Sequence, residues 1–346
     1  MLSQQLRYRL RTTAANVRSQ QGPLPKYDEE IFAGGDYPRS WDEVVGQERA
    51  KARLQAAIES AKMRGTRLDH TLLCSGLHGI GKTTLGKLTA YQMKVGYIEV
   101  SGIVSVDEAR PILRGMRDGD ILFWDEIHLA VSGGKAKAEW LLPFLQDGGL
   151  MTARGFEPMP DVTVLGATTD AQRLPQTFLS RFMVQPVLEG YTEAEAEQIA
   201  RRLSVRMGFG RDGLPTLTDE QARELALASN GAPREMRALL IALRDAYYVK
   251  GELDLDQARD WVGVTRDGLN ELAANYLMTL LVMCEGQAGE KVITSALGEP
   301  GPLRHTEQIL TQKGLLTIEP NGRRLTEPGM ERALQLLREK GIMDDE

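Results

Sequence analysis

The stretch Gly76-Leu77-His78-Gly79-Ile80-Gly81-Lys82-Thr83-Thr84 fits the pattern G-x-x-x-x-G-K-[ST] at every position, and no other part of the chain constrains its fold as strongly. It follows an apolar run, Thr71-Leu72-Leu73-Cys74, and leads into Leu85-Gly86-Lys87-Leu88. A strand is therefore expected before the loop and a helix after it. Glycines let backbone N–H groups turn inward on phosphates, and a helix N-terminus adds the positive end of its dipole. Gly76, Gly79, Ile80, Gly81, Lys82, Thr83 and Thr84 are the candidate nucleotide-binding residues. Lys82 is placed to reach the β- and γ-phosphates, and Thr83 to ligate Mg²⁺.

Further on, Ile121-Leu122-Phe123-Trp124-Asp125-Glu126-Ile127-His128 reads as a buried strand ending on two carboxylates. A carboxylate at the C-terminal end of a strand beside a phosphate loop can hold Mg²⁺ through water, which suits Asp125. Its neighbour can orient or deprotonate an attacking water, which suits Glu126. His128 is either a relay or a packed histidine, and it is not assigned to catalysis.

The rest of the chain is read around this pair. Residues 1–26 carry Arg7, Arg9, Arg11, Arg18 and Lys26 and no acid; a basic arm, a transit peptide or a solvated tail all fit. Ala50, Leu54, Ala57, Ile58 and Ala61 trace one helix face before the loop. Tyr97–Val100 is a strand, Ser105 and Glu108 have capping-box spacing, and Pro111 restarts a short helix. Val162-Thr163-Val164-Leu165 is a further buried strand. This alternation predicts an α/β fold with a parallel sheet. Beyond Val187 the text turns helical, with capping boxes at Thr192-to-Glu195 and Thr218-to-Gln221 and a helix starting at Pro233. After Thr265, three helices precede a hairpin signalled by Pro320-Asn321-Gly322, which predicts a winged helix. Such a module offers Arg304, His305 and Lys313 on a recognition helix and Arg323 and Arg324 at the wing to DNA phosphates. From Thr265 onward there are nine Lys/Arg against thirteen Asp/Glu, so a protein partner remains open.

The formal charge of −6 requires any nucleic-acid contact to come from a local patch. Two cysteines make no disulfide framework and fit a reducing, cytoplasmic compartment. No apolar run reaches the length of a membrane span.

Taken in order, Val45-Gly46-Gln47, Leu68-Asp69-His70, the phosphate loop, Asp125-Glu126-Ile127-His128, Gly166-Ala167-Thr168-Thr169 and Leu179-Ser180-Arg181-Phe182 resemble the AAA+ ATPases. More narrowly, they resemble the RuvB family of Holliday-junction branch-migration motors. The resemblance runs almost the full length after residue 37. It implies Thr169, with Thr168, as the sensor between nucleotide and water, and Arg181 as a finger reaching a neighbour's nucleotide. It implies Arg234 as the phosphate contact of a helical lid, and Val45 and Tyr191 beside the base. A finger supplied in trans implies a ring, a hexamer by that resemblance, hydrolysing ATP with Mg²⁺. The lid arginine would turn nucleotide binding into hinge motion.

The implied division is a basic extension at 1–37, a phosphate-loop domain at 38–188, a small helical lid at 189–264 and a winged helix at 265–346. The stretch between Asp147 and Val162 is shorter than the family's hairpin for a RuvA-type partner, which puts that partner in doubt. His78 stands where the family usually has Pro, Asp170 where it has Arg, and Asn321 where it tends to have Arg. The expected function is an ATP-driven motor on duplex or junction DNA. An initiator or helicase-loader switch and a protein remodeller using the winged helix as an adaptor dock are the alternatives.

Overall fold

Buried side chains alternate along the third strand of the computed structural model: Leu122 and Trp124 enter one cluster, Ile121 and Phe123 another. A strand covered on both faces must be apolar at consecutive positions, which explains the unbroken run read in the sequence. The structure describes residues 37–102, 104–131, 140–152 and 155–343; the basic stretch read at residues 1–26 lies outside them. The chain forms two compact units, Met1–Arg202 with Ala232–Arg234, and Leu203–Gly231 with Glu235–Glu346.

In the first unit the strands are β1 (Thr71–Cys74), β2 (Tyr97–Ser101), β3 (Ile121–Asp125), β4 (Gly149–Thr152), β5 (Gly155–Pro158) and β6 (Thr163–Thr168). Four of them make a parallel sheet in the order β1-β6-β3-β2. The extended stretch 184–188 lies along the free side of β1, with Leu72 N–H donating to the Val184 carbonyl at 2.8 Å and Leu188 N–H to that of Cys74 at 2.8 Å. Pro186 has no N–H to give, so this edge carries isolated bridges rather than a continuous ladder. The helices are α1 (Glu48–Arg64), α2 (Lys82–Met93), α3 (Val106–Gly115), α4 (Ile127–Val131), α5 (Leu141–Asp147), α6 (Gln176–Leu179) and most of α7 (Glu193–Arg206). Leu54 of α1 and Leu85 of α2 pack with Phe123 and Leu165 on one face. Leu113 of α3 and Phe144 of α5 pack with Trp124 and Val164 on the other. The strand order reverses beside β1, and the C-terminal strand ends there form the crevice in which ligands of open α/β sheets bind.

Pro111 does not restart a helix: α3 runs through it from the capping box at Ser105. Proline lacks an N–H, so the helix forfeits one ladder bond at its sixth residue, less than two turns past the capped start, and continues. Between Asp147 and Val162 the short stretch still closes a hairpin, β4 against β5, with Met151 paired to Phe156.

The second unit contains α8 (Asp219–Ala228), most of α9 (Pro233–Lys250), α10 (Leu255–Val262), α11 (Glu271–Cys284), β7 (Gln287–Ala288), α12 (Glu290–Ala296), α13 (Arg304–Gln312), β8 (Leu316–Glu319), β9 (Gly322–Leu325) and α14 (Glu327–Glu339). The capping box read at Thr218 is present, with Gln221 returning the bond at the start of α8. The three helices α11, α12 and α13 with the sheet β7-β9-β8 make the winged helix. The hairpin turn differs from the expectation. Glu319 pairs with Gly322, so the loop is Pro320-Asn321 and the glycine belongs to β9. Gly322 has φ 140°, and a Cβ there would meet the Ala288 carbonyl oxygen at 2.5 Å. The short strand β7, not seen in the sequence, is what demands the glycine.

Candidate nucleotide site

The phosphate loop leaves β1 and enters α2 through Gly79 (φ 70°) and Gly81 (φ 101°). These are left-handed conformations that a side chain would strain. The loop is braced from α7's side of the unit: the Tyr191 hydroxyl donates to the Ile80 carbonyl at 2.9 Å. Tyr191 is therefore a clamp on the loop backbone, in addition to any place beside a base. Gly46 (φ 63°) and Gln47 (φ 59°) turn the chain into α1 next to buried Val45, and Gln47 exchanges two hydrogen bonds with the Glu189 backbone. Arg234 clusters with this unit, and a Cβ on Gly79 would approach the Arg234 Cβ at 3.1 Å.

Lys82 is 7% exposed and donates to the Leu77 carbonyl at 3.1 Å. Burial pulls its ammonium pKa down, opposed by the charges of Glu126 and Asp125. Asp125 ends β3 in register with Ser101 of β2. Burial first, and then the neighbouring Glu126 charge, raises its carboxyl above the usual range. Two acids and a lysine sharing a half-buried site are the arrangement in which a divalent cation and phosphates are accommodated. The oxygen donors of Thr83 and Asp125 suit Mg²⁺, which keeps waters and takes substrate phosphates rather than an all-protein cage. No cluster of three or more His, Cys, Asp or Glu side chains able to hold a metal occurs among the described residues.

Glu126 occupies a strained position, φ 50°, of the kind that persists only where the surroundings impose it. One carboxylate oxygen, Oε2, accepts from the Thr169 hydroxyl at 3.0 Å and the Thr169 N–H at 3.3 Å, and it lies 3.2 Å from His128 Nδ1. The other, Oε1, lies 3.8 Å from His78 Nδ1. The sequence pairing of Thr168 with Thr169 divides here. Thr169 touches the glutamate, whereas Thr168 is fully buried, its hydroxyl 2.9 Å from His128 Nδ1 and accepting from the Asp170 N–H at 3.0 Å. Thr168 is the last residue of β6 and its hydroxyl meets His128 and the Asp170 N–H, whereas Thr169, the first residue past the strand, is the one that touches the glutamate. His128, left out of catalysis in the sequence, is in contact with the glutamate. Its position two residues on, in the first turn of α4, was the signal available.

Arg181 follows α6, and its Nη2 donates to Gln146 Oε1 of α5 at 2.8 Å. Within its own chain it is not among the contacts of Glu126 or Lys82.

In the second unit the candidate DNA residues separate sharply. Arg323 forks onto Glu307 at 2.8 and 3.1 Å and also meets Glu290 at 3.1 Å. Glu307 is 3% exposed and accepts from the Tyr276 hydroxyl at 3.0 Å. Lys313 donates to the Asp267 carbonyl at 2.5 Å, and burial lowers its pKa. Both side chains are engaged inside the module. Arg324 leans on Gln287 (3.2 and 2.7 Å) and stays half-exposed. Arg304 and His305 are exposed at the start of α13.

A parallel sheet with a phosphate loop after its first strand, paired carboxylates at the end of the third, and a threonine just past the strand between that bonds the second of them defines a P-loop NTPase of the AAA+ class. Residues 37–188 match the model for the Holliday junction DNA helicase RuvB P-loop domain. The chain is 33% identical to the Holliday junction branch migration complex subunit RuvB of Rubrobacter xylanophilus over 304 residues, 83% of each chain. It is also 33% identical to that of Myxococcus xanthus over 307 residues, 84% of this chain and 87% of the relative. Among solved structures, the Thermotoga maritima RuvB Holliday junction branch migration motor superposes with a TM-score of 0.72 at 31% identity, over 85% of this chain and 96% of that one. The chain belongs to the RuvB family.

Proposed function

We propose that this chain is an ATP-hydrolysing motor that assembles into a ring, a hexamer, and moves duplex DNA in branch migration of Holliday junctions. The observation that carries this reading is the Glu126 carboxylate, held by Thr169 and His128 at the end of β3 beside Lys82. This is the placement of a base that orients water toward a γ-phosphoryl group.

Lys82 and the loop N–H groups bind the ATP phosphates, and Thr83 and Asp125 would hold Mg²⁺, which neutralises charge between the phosphates when bound. Arg234 contacts phosphate within the same chain. Arg181, parked on Gln146, supplies positive charge to the neighbouring protomer's nucleotide, so that turnover depends on assembly. In this reading the chain divides into an extension to residue 37, a phosphate-loop domain at 38–188, a lid at 189–264 and a winged helix at 265–346. Arg304, His305 and Arg324 contact DNA phosphates. The β4–β5 hairpin, with Met151 and Phe156 each about half exposed, offers an apolar dock to a RuvA-type partner. No helix among the described residues is long and apolar enough to cross a membrane, and both cysteines are free thiols, which supports a cytoplasmic site of action.

The test is steady-state ATP turnover with and without duplex DNA. Stimulation by DNA is expected, with a modest rise in the DNA concentration needed for it in Arg304→Ala. Turnover stimulated by a protein and indifferent to DNA would select the remodeller instead.

A further inference from the structure

The contacts of Glu126 are unequal at its two oxygens. Oε2 is engaged by the Thr169 hydroxyl, the Thr169 N–H and His128, from the residue just past β6 and from α4. Oε1 faces the phosphate loop, where His78 Nδ1 lies 3.8 Å away. The terminal torsion of a glutamate is broad and roughly two-fold, so contacts at one oxygen leave the carboxylate plane free to rock. A second group on the opposite side would remove that freedom once it closed to hydrogen-bond distance. Here that group is a side chain on the loop that cradles the phosphates, so closure would link the base to the phosphate cradle. The His78 side chain is 51% exposed, and Glu126 is held in a left-handed backbone conformation of the kind that persists only where the surroundings impose it.

We propose that His78 is a positioning residue for ATP hydrolysis: through Glu126 Oε1 it fixes the plane of the base relative to the phosphate loop. The proposal rests on reading Glu126 as the base. Catalytic hydrogen bonds are commonly long before substrate binds and tighten in the complex, which suits a 3.8 Å approach.

The test is a double-mutant cycle of His78→Ala and Glu126→Gln, with His78→Asn as the conservative variant. It is followed by steady-state ATP hydrolysis and by equilibrium binding of a fluorescent ATP analogue. His78→Ala should lower kcat about tenfold, the lower end for a hydrogen bond to a charged group, with nucleotide Kd unchanged. His78→Asn should restore most of the rate, and His78→Ala should cost nothing further in a Glu126→Gln background. Unchanged kcat in His78→Ala, a loss lying wholly in nucleotide affinity, or multiplicative losses in the double variant would each overturn the proposal while leaving Glu126 as the base. Full turnover by Glu126→Gln would overturn both readings together.

Discussion

The two units treat their charged side chains in opposite ways. Around the phosphate loop, Lys82, Asp125 and Glu126 converge at partial burial, and each is left with its charge incompletely neutralised: Lys82 meets a carbonyl, Asp125 a backbone N–H, and Glu126 hydroxyl and imidazole groups. In the winged helix the same kinds of residue are spent on one another. Arg323 is closed onto Glu307 and Glu290, and Arg332 onto Asp267 and Glu339. A site that must meet a polyanion keeps its charges strained and available. A small module must neutralise the charges it buries, because an unpaired one costs several kcal/mol.

That contrast can be broken by substitution. The largest effect is expected for Glu126→Gln, which should lower kcat by roughly 10²- to 10⁴-fold, the range for losing a positioned base, with ATP binding retained. A stopped-flow phosphate-release assay beside nucleotide binding separates the two. In the second unit, Arg323→Ala should destabilise rather than merely weaken DNA binding. It leaves the buried Glu307 carboxylate uncompensated, at a cost of about 3 kcal/mol readable in urea unfolding of the intact chain. Equal stability with reduced DNA affinity would return Arg323 to the DNA-contact set.

A similar magnitude is expected from pH. His70 accepts from the Val164 N–H at 3.0 Å, and burial foremost, with the nearby Arg67 charge, lowers its pKa from 6.5 to about 4. The unfolded chain therefore takes up the proton first as pH falls. The stability of the neutral imidazole is complete above pH 6.5 and is lost between 6.5 and 4, by about 3 kcal/mol at 1.36 kcal/mol per unit. His70→Asn should flatten that part of the stability profile. The smallest effect is at the module's surface: Arg304→Ala should reduce the salt dependence of DNA binding by about one unit of slope with stability unchanged.

Much of the first unit was legible because its motifs are backbone requirements. Gly79 and Gly81 must adopt positive φ, β3 must be apolar on both faces before Asp125, and each leaves an unmistakable trace in the text. The capping boxes at Ser105, Thr192 and Thr218 were legible for the same reason. What the sequence hid was allocation of side chains in space. Nothing local says that Thr168 turns inward while Thr169 reaches Glu126, that His78 and His128 approach the same carboxylate, or that Glu307 claims Arg323. The winged helix was readable as an order of elements. Its third strand, two residues long, carries no periodicity, so β7 and the true reason for Gly322 were invisible.

The measurement closest to the central claim is strand exchange on a synthetic four-way junction followed by fluorescence, with ATP, for the full chain and for Glu126→Gln. The account predicts ATP-dependent branch migration by the full chain and a stalled junction with Glu126→Gln despite bound nucleotide. Migration at an undiminished rate with Glu126→Gln, or robust ATP turnover by the full chain with no movement of the junction with or without a RuvA-type partner, would contradict it.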